Sequence, residues 1–389
     1  MGVYNGRQIH FGASKERSRT DDFRINMANV TYLIGAGASA GKRGRDLPHG
    51  LPEDDRIIEG LPCVNEIASC LEDVVHLLER KLPSNIEWRN AELGLNNEED
   101  WKQAQSETLA QFKQLLDKCT EHSTIDTYAK KLRLRKEMDA LRKLEQLLSL
   151  FFMFLQMENK PDSRYDSFLA SILQENLHFP NNIHVLSWNY DSQFEIAYDE
   201  YNEGETLLCA SKKSKILSPC IEVIKINGTA SFDGQESFAH MRKQYIKERQ
   251  DITPMIEGKF GLDPNPMKEQ RRILQLIYMY KLFVSGKKDN TNLSFAFDNY
   301  EPTEALYNQI NSIIENTDVL VVIGYTFPFF NREIDRRILQ NLRSQAKIYI
   351  QDKYPNRIKQ SFKAVKNSIP DGHFELKEET DQFFLPPEL

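Results

Sequence analysis

Val30-Thr31-Tyr32-Leu33-Ile34-Gly35-Ala36-Gly37-Ala38-Ser39 is the stretch that decides the fold. Five residues rich in β-formers run straight into two glycines and three small residues. An apolar strand that ends in a tight glycine turn is how a Rossmann-type phosphate loop begins. Glycine permits positive φ, and its missing side chain lets the backbone come close to a pyrophosphate. Ser39 is placed to cap the next helix or to bond a phosphate oxygen. The motif lacks the third glycine of the usual spacing, so an ordinary strand-to-helix turn stays open at this point.

Strands recur further along. Ile183–Trp188, Ile221–Ile226, Asp318–Gly324 and Lys347–Asp352 each read as one, and Val319–Ile323 is apolar on both faces, as a buried parallel strand is. Between the first strand and the second lies a long stretch with helical spacing. Leu71, Val74, Val75, Leu78 and Leu82 mark one face, and Leu141, Leu144, Leu147, Leu148 and Phe151 another. A further, buried helix is expected over Arg271–Phe283. Strands that alternate with helices predict an α/β fold with a Rossmann-like parallel sheet and a large helical insertion. The expected layout is a flexible or partner-binding arm at 1–28 and one domain at 29–389. A helical insertion occupies about 66–178, and a smaller helical segment about 233–290.

Composition narrows the function. The five cysteines, Cys63, Cys70, Cys119, Cys209 and Cys220, show no C-x-x-C pair, so neither a disulfide framework nor a metal site is expected. A net charge of −7 argues against a broad nucleic-acid surface, so nucleic acid is expected as an indirect partner if at all. Two local basic clusters exist, at Lys42, Arg43 and Arg45 and at Lys130–Lys136. The second reads as a solvated helix face. No apolar run is long enough to span a membrane and the N-terminus has no apolar leader, so a cytoplasmic location is expected.

Three further motifs sit at strand ends, where ligands bind in open α/β sheets. Trp188-Asn189-Tyr190-Asp191 puts two polar side chains there, although Asn and Asp are also the preferred helix caps. Lys225-Ile226-Asn227-Gly228-Thr229, taken by itself, reads as an ordinary Asn-Gly turn. Gly324-Tyr325-Thr326-Phe327-Pro328 follows the most buried strand and precedes a helix that opens with Asn331, Arg332, Glu333 and Asp335.

In order, these motifs resemble the sirtuin superfamily. Gly35–Ser39 is similar to its G-A-G-x-S loop, and Gly60-Leu61-Pro62-Cys63-Val64-Asn65-Glu66 to the G-[IL]-P segment of bacterial sirtuin-like defence proteins. Trp188–Asp191 resembles Q-N-x-D with Trp in place of Gln, and Gly324–Phe327 resembles G-[TY]-S-[LF]. The resemblance implies NAD as the bound molecule and substrate. Gly35, Ala36, Gly37 and Ser39 would hold the pyrophosphate. Asn189 would bond the nicotinamide ribose, and Asp191 would orient that pocket. Gly324, Thr326 and Asp352 would line the adenosine side, with Pro62, Asn65, Tyr325 and Phe327 also counted as cofactor-binding.

The catalytic H-G of the family falls on Asn227-Gly228. A carboxamide has no useful basicity, so Asn227 cannot take the proton that a histidine would. Either the chain is a disabled form of an enzyme, the reading preferred because the other motifs are present, or it is natively a slow or silent NAD binder. His184, His49 and His240 are weak substitutes. The zinc module of sirtuin deacylases has no counterpart here. The resemblance is therefore to the sirtuin-like effectors of anti-phage defence, which hydrolyse NAD to nicotinamide and ADP-ribose. It further implies a homo-oligomer paired with a HerA-type hexameric ATPase. A silent NAD or ADP-ribose binding module and an unusual NAD-dependent protein deacylase remain the alternatives.

Overall fold

The computed structural model describes residues 28–41, 60–82, 86, 89–158, 161–174, 177–201, 223–232, 242, 266–285, 291–297 and 304–389. The expected arm, the cluster at Lys42, Arg43 and Arg45, most of the 233–290 segment, Cys209, Cys220, His49 and His240 lie outside the described residues.

The first strand, β1, spans Val30–Ile34 and is buried along its whole length. Five helices then precede the second strand: α1 (Ile67–Leu78), α2 (Glu98–Glu121), α3 (Ile125–Leu134), α4 (Met138–Glu158) and α5 (Ser163–Ile172). Their starts follow local chemistry. The Asn97 side chain accepts from the amides of Glu99 and Asp100, and Glu98, Glu99 and Asp100 load the first turn of α2 with negative charge. Thr124 caps α3 and Asp162 caps α5 in the same way. Helix α4 is the centre of this bundle: every residue from Leu147 to Met157 is buried. A helix apolar on all sides must be enclosed by others, and it is packed with α1, α2 and α3 in one core that includes Trp101, Phe112, Phe151 and Phe154.

The chain then returns to the sheet through β2 (Ile183–Ser187), α6 (Gln193–Tyr201) and β3 (Val223–Lys225). A small antiparallel pair, β4 (Gly228–Phe232) and β5 (Thr291–Leu293), flanks α7 (Pro266–Met279). The last part is α8 (Glu304–Asn316), β6 (Val319–Ile323), α9 (Arg332–Leu339), β7 (Lys347–Gln351), α10 (Pro355–Val365) and β8 (Phe374–Lys377). The main sheet is six-stranded and parallel in the order β3-β2-β1-β6-β7-β8. This is the doubly wound Rossmann arrangement: the chain builds outward from β1 one way, then jumps back and builds the other way.

Alternation along the strands sends side chains to two separate cores. Tyr32, Val185 and Val321 face α5 and α6. Leu33, Leu186 and Val322 face α8, α9 and α10. The β4–β5 pair belongs to neither; Ala230, Phe232 and Leu293 pack into the helical core. The helical bundle therefore closes over the C-terminal ends of β2 and β3.

Several details depart from expectation. Strands β4, β5 and β8 are additions, each short. The expected strand over Ile221–Ile226 is ordered as Val223–Lys225, with Ile226 already in the turn and 221–222 outside the described residues. The expected helix over Arg271–Phe283 starts earlier, at Pro266, and passes into a wider π-helical turn over Tyr280–Val284. Among the described residues no helix is long and apolar enough to cross a membrane.

Candidate functional site

The order of the sheet puts its switch point between β1 and β6, the place where open α/β sheets form a ligand crevice beyond the strand ends. Three glycines make the closest approach. The Gly35 amide donates to Ile323 O at 3.0 Å, and the Gly37 amide to Gly324 O at 3.0 Å. A Cβ on Gly35 would stand 2.7 Å from Gly324 O, and one on Gly37 would stand 2.7 Å from Gly324 Cα. Gly324 itself has φ +59°, and a Cβ there would lie 2.5 Å from Ala38 N. No side chain fits at these contacts, which is why the sequence keeps glycine on both sides of the switch point.

The loop does not offer a row of free amides. The amides of Gly35, Gly37, Ala38 and Ser39 all donate within the protein, to Ile323, Gly324, Gly35 and Ala36. Ala36 is then the loop residue whose amide has no acceptor among the described residues. Ser39, expected at the pyrophosphate, is buried. Its hydroxyl lies 2.9 Å from Tyr165 Oη and accepts from Asn189 Nδ2 at 3.1 Å. Gly60 and Leu61, which lead into Pro62 and Asn65, come to the same loop, while Asn65 itself is exposed. Leu61 N donates to Ser39 O at 2.8 Å, and a Cβ on Gly60 would meet Ser39 O at 2.4 Å. Cys63 and Glu66 then form a capping box that starts the turn carrying Asn65.

Asn189 reaches this loop from the end of β2. Its Nδ2 donates both hydrogens inward, to Gly35 O at 3.0 Å and to Ser39 Oγ. That assignment of the amide leaves Oδ1, the negative end of the dipole, as its remaining polar atom. Asp191 fulfils the capping alternative, with Oδ1 accepting from Gln193 N at the start of α6. Burial holds its carboxyl above the usual range, opposed by the nearby Lys225 ammonium and by hydrogen bonds, one from Ser39.

Lys225, a group that sequence reasoning passed over as a strand residue, lies under this segment. It is 1% exposed, donates to Asp191 O at 2.6 Å and pairs with Glu195 Oε1 at 2.8 Å. Burial raises the Glu195 carboxyl and Lys225 opposes the rise. Two other unanticipated side chains fix the same segment from outside the sheet: Ser192 N donates to Gln156 Oε1 at 2.6 Å, and Gln193 Oε1 accepts from Asp162 N at 2.9 Å. None has a sequence signal, since a buried amide bonding a distant backbone group follows no spacing rule.

Asn227 sits in the β3–β4 turn, buried, two residues past Lys225. Its carbonyl accepts from Ser294 N at 3.0 Å and Ser294 Oγ at 3.2 Å, and Ile226 N donates to Ser187 O beside Asn189. The Asn-Gly turn reading also holds: Gly228 has φ +73°, where a Cβ would fall 1.9 Å from Asn292 O. Turn and site residue are compatible roles for this pair. His184 is a β2 residue in register with Thr31, well before the strand end.

On the other side of the crevice the motif Gly324–Phe327 splits. Tyr325 and Phe327 are buried in the core, while Thr326 is exposed. Tyr325 stacks on Trp188 at 5.4 Å and donates to both Asp335 oxygens at 2.9 Å. Burial holds Asp335 well above the usual carboxylate range, against the pull of the Tyr325 hydroxyl. Phe327 adopts φ +52°, a strained conformation for a bulky side chain. Asp352, at the end of β7, is half-buried and its Oδ1 accepts from Tyr354 N at 2.8 Å.

The structure therefore brings Gly35, Ala36, Gly37, Ser39, Asn189, Asp191 and Gly324 together, with Asn227 in the adjoining turn and Pro62 just after the Gly60–Leu61 contact; Asn65 is exposed. It withdraws Tyr325 and Phe327 into the core. Among the described residues no group of three or more His, Cys, Asp or Glu is arranged to hold a metal ion. What the site offers is a buried carbonyl dipole, two crowded carboxyls and a glycine-lined crevice. That set suits a ligand with a backbone-hugging linker and a centre that develops positive charge. No protein-family model matches the chain, and no curated protein matches it.

Proposed function

We propose that this chain binds NAD at the β1–β6 crevice and belongs to an enzyme class that hydrolyses the nicotinamide–ribose bond: water adds its oxygen to the ribose as neutral nicotinamide leaves and a proton is released, giving nicotinamide and ADP-ribose. The observation that carries this reading is Asn189. Its Nδ2 is pinned by Gly35 O and Ser39 Oγ, so its Oδ1 dipole is fixed beside the glycine loop. Bond cleavage builds positive charge on the ribose ring while nicotinamide leaves neutral. A preorganised acceptor, backed by the Asp191 carboxyl, stabilises that charge without reorganising. Asn189, Asp191 and Asn227 are each 6% exposed, so these side chains lie largely out of bulk solvent.

Asn227 favours a second reading of the chain as it stands, a binder that holds NAD without turning it over. The wider proposal, a homo-oligomeric effector of anti-phage defence working with a HerA-type ATPase, rests on the motif resemblance alone. The test is release of nicotinamide and ADP-ribose from NAD by the chain and by Asn227→His, each with and without the ATPase. Release by the histidine form alone supports the hydrolase reading and makes Asn227 the disabling residue. Binding by both forms with turnover by neither leaves a binding module.

A further inference from the structure

The first turn of α5 joins three parts of the chain that are far apart in sequence: the glycine loop, the start of α6 and the C-terminal segment. Arg164 is the centre of the junction. Its Nη2 donates to Gly37 O at 3.1 Å and Ala38 O at 3.2 Å. Its Nη1 donates to Thr380 O at 3.2 Å, and its guanidinium lies over the Phe383 ring at 5.1 Å. Its Nε and Nη2 grip the buried Asp162 carboxylate, with the closest approach at 2.6 Å. The next residue, Tyr165, meets Ser39 Oγ, and Asp162 N donates to Gln193 beside Asp191.

The C-terminal segment is held just as firmly from its other side. Gln351, at the end of β7, donates through Nε2 to Glu379 O at 2.7 Å and Gln382 O at 2.6 Å, and its Oε1 accepts from Phe384 N at 3.0 Å. Tyr32 Oη donates to Phe384 O, and Phe383 packs edge-on against Tyr165 at 4.9 Å. The residue at the strand end nearest the expected adenosine pocket therefore spends its whole amide on this segment.

A loop that presents its open edge to an anion must turn its carbonyls the other way, and buried carbonyls need donors. Arg164 reaches both carbonyls through Nη2 while Nε holds Asp162 and Nη1 reaches Thr380 O, three directions at once that a single-point lysine cannot reproduce. We infer that Arg164 is a positioning residue for the ligand's pyrophosphate: it holds the Gly37 and Ala38 carbonyls down so that the Ala36 side of the loop faces the crevice, and residues 379–384 brace it. This rests on the dinucleotide reading above. Arg164 touches no ligand in this account and acts through the loop.

Calorimetry of the full chain with ADP-ribose as probe tests the inference, each variant held well below its own melting temperature. Arg164→Gln is expected to weaken binding tenfold or more, and Arg164→Lys to recover part of the loss. Phe383→Ala removes the ring under the guanidinium and is expected to weaken binding roughly two- to fivefold, the size of a cation–π contact. Leu169→Ala, a buried core change on the same helix, is expected to lower the melting temperature and leave the affinity alone. Equal affinities for the wild type and Arg164→Gln overturn the inference, as does an equal loss in Leu169→Ala. A wild-type chain that binds no ADP-ribose overturns the dinucleotide reading, and the inference with it.

Discussion

The ends of β2 and β3 and the ends of β6 and β7 lie on opposite sides of the sheet's switch point, and they use their polar residues in opposite ways. At β2 and β3, Asn189, Asp191, Lys225 and Glu195 are buried and bonded to one another or to the glycine loop. At β6 and β7, Tyr325 turns away to Asp335 and Gln351 is consumed by the C-terminal segment. Polar residues at a strand end are thus not site residues by position alone. One half of the crevice carries side-chain chemistry. The other carries backbone shape, a glycine contact and a scaffold beneath it.

If the division is right, the first half is broken by charge. Lys225→Met leaves Glu195 buried without its ion pair and removes the donor to Asp191 O. It is expected to cost about 3–5 kcal/mol. Adding Glu195→Leu should return most of that loss, and urea unfolding of the single and double variants measures it. A double variant as unstable as the single would mean the ion pair is not what holds the segment.

The second half is broken by shape. Gly324→Ala places a Cβ 2.5 Å from Gly37 and forces φ +59° on an alanine. The expected loss is about 3 kcal/mol, the sum of backbone strain and overpacking. Gly94→Ala is the matched control: φ is +69°, but nothing lies within 4 Å of its Cβ. It should cost only the strain, about 1 kcal/mol. Equal losses in thermal unfolding would show that the crowding at the crevice is not real.

A smaller effect separates the scaffold from the site by pH. Asp335 is raised in the folded chain, chiefly by burial. An unfolded aspartate releases its proton near pH 4, while the folded one keeps it. The folded state then binds more protons above that pH, and this group's contribution to stability falls as pH rises toward its folded value. Asp335→Asn removes that slope. Its stability relative to the wild type should therefore improve from pH 4 to pH 7 in urea unfolding. A constant difference would mean Asp335 is ionised in the fold.

Much of this was legible in the sequence, and for a physical reason. Val30–Ile34 and Val319–Ile323 are strands whose every residue is buried, so their apolar runs stand out without help from neighbours. The helical bundle announced itself through its 3.6-residue spacing, and the glycines through the turn they permit. Strand β8 did not, because Phe374-Glu375-Leu376-Lys377 is a short edge strand with polar residues on one face. The Arg164 clamp was hidden for a different reason. Its bonds go to carbonyl oxygens 126 and 216 residues away, and a carbonyl is carried by every residue type. Lys225 was read as part of a strand. Nothing in Ile224-Lys225-Ile226 says that the ammonium is sealed under Asp191. Asn189 and Asp191 were visible but ambiguous between cap and site, and Asp191 proves able to serve as the cap while standing in the site.

The central claim is that the pinned Asn189 carboxamide at the glycine loop is where NAD is held, and equilibrium binding of NAD to the chain and to Asn189→Ala tests it most directly. Saturable binding by the wild type is expected, with affinity at least tenfold weaker in the variant, the loss from one well-placed polar contact together with release of the loop. Equal binding by the two, with both chains folded, would contradict it.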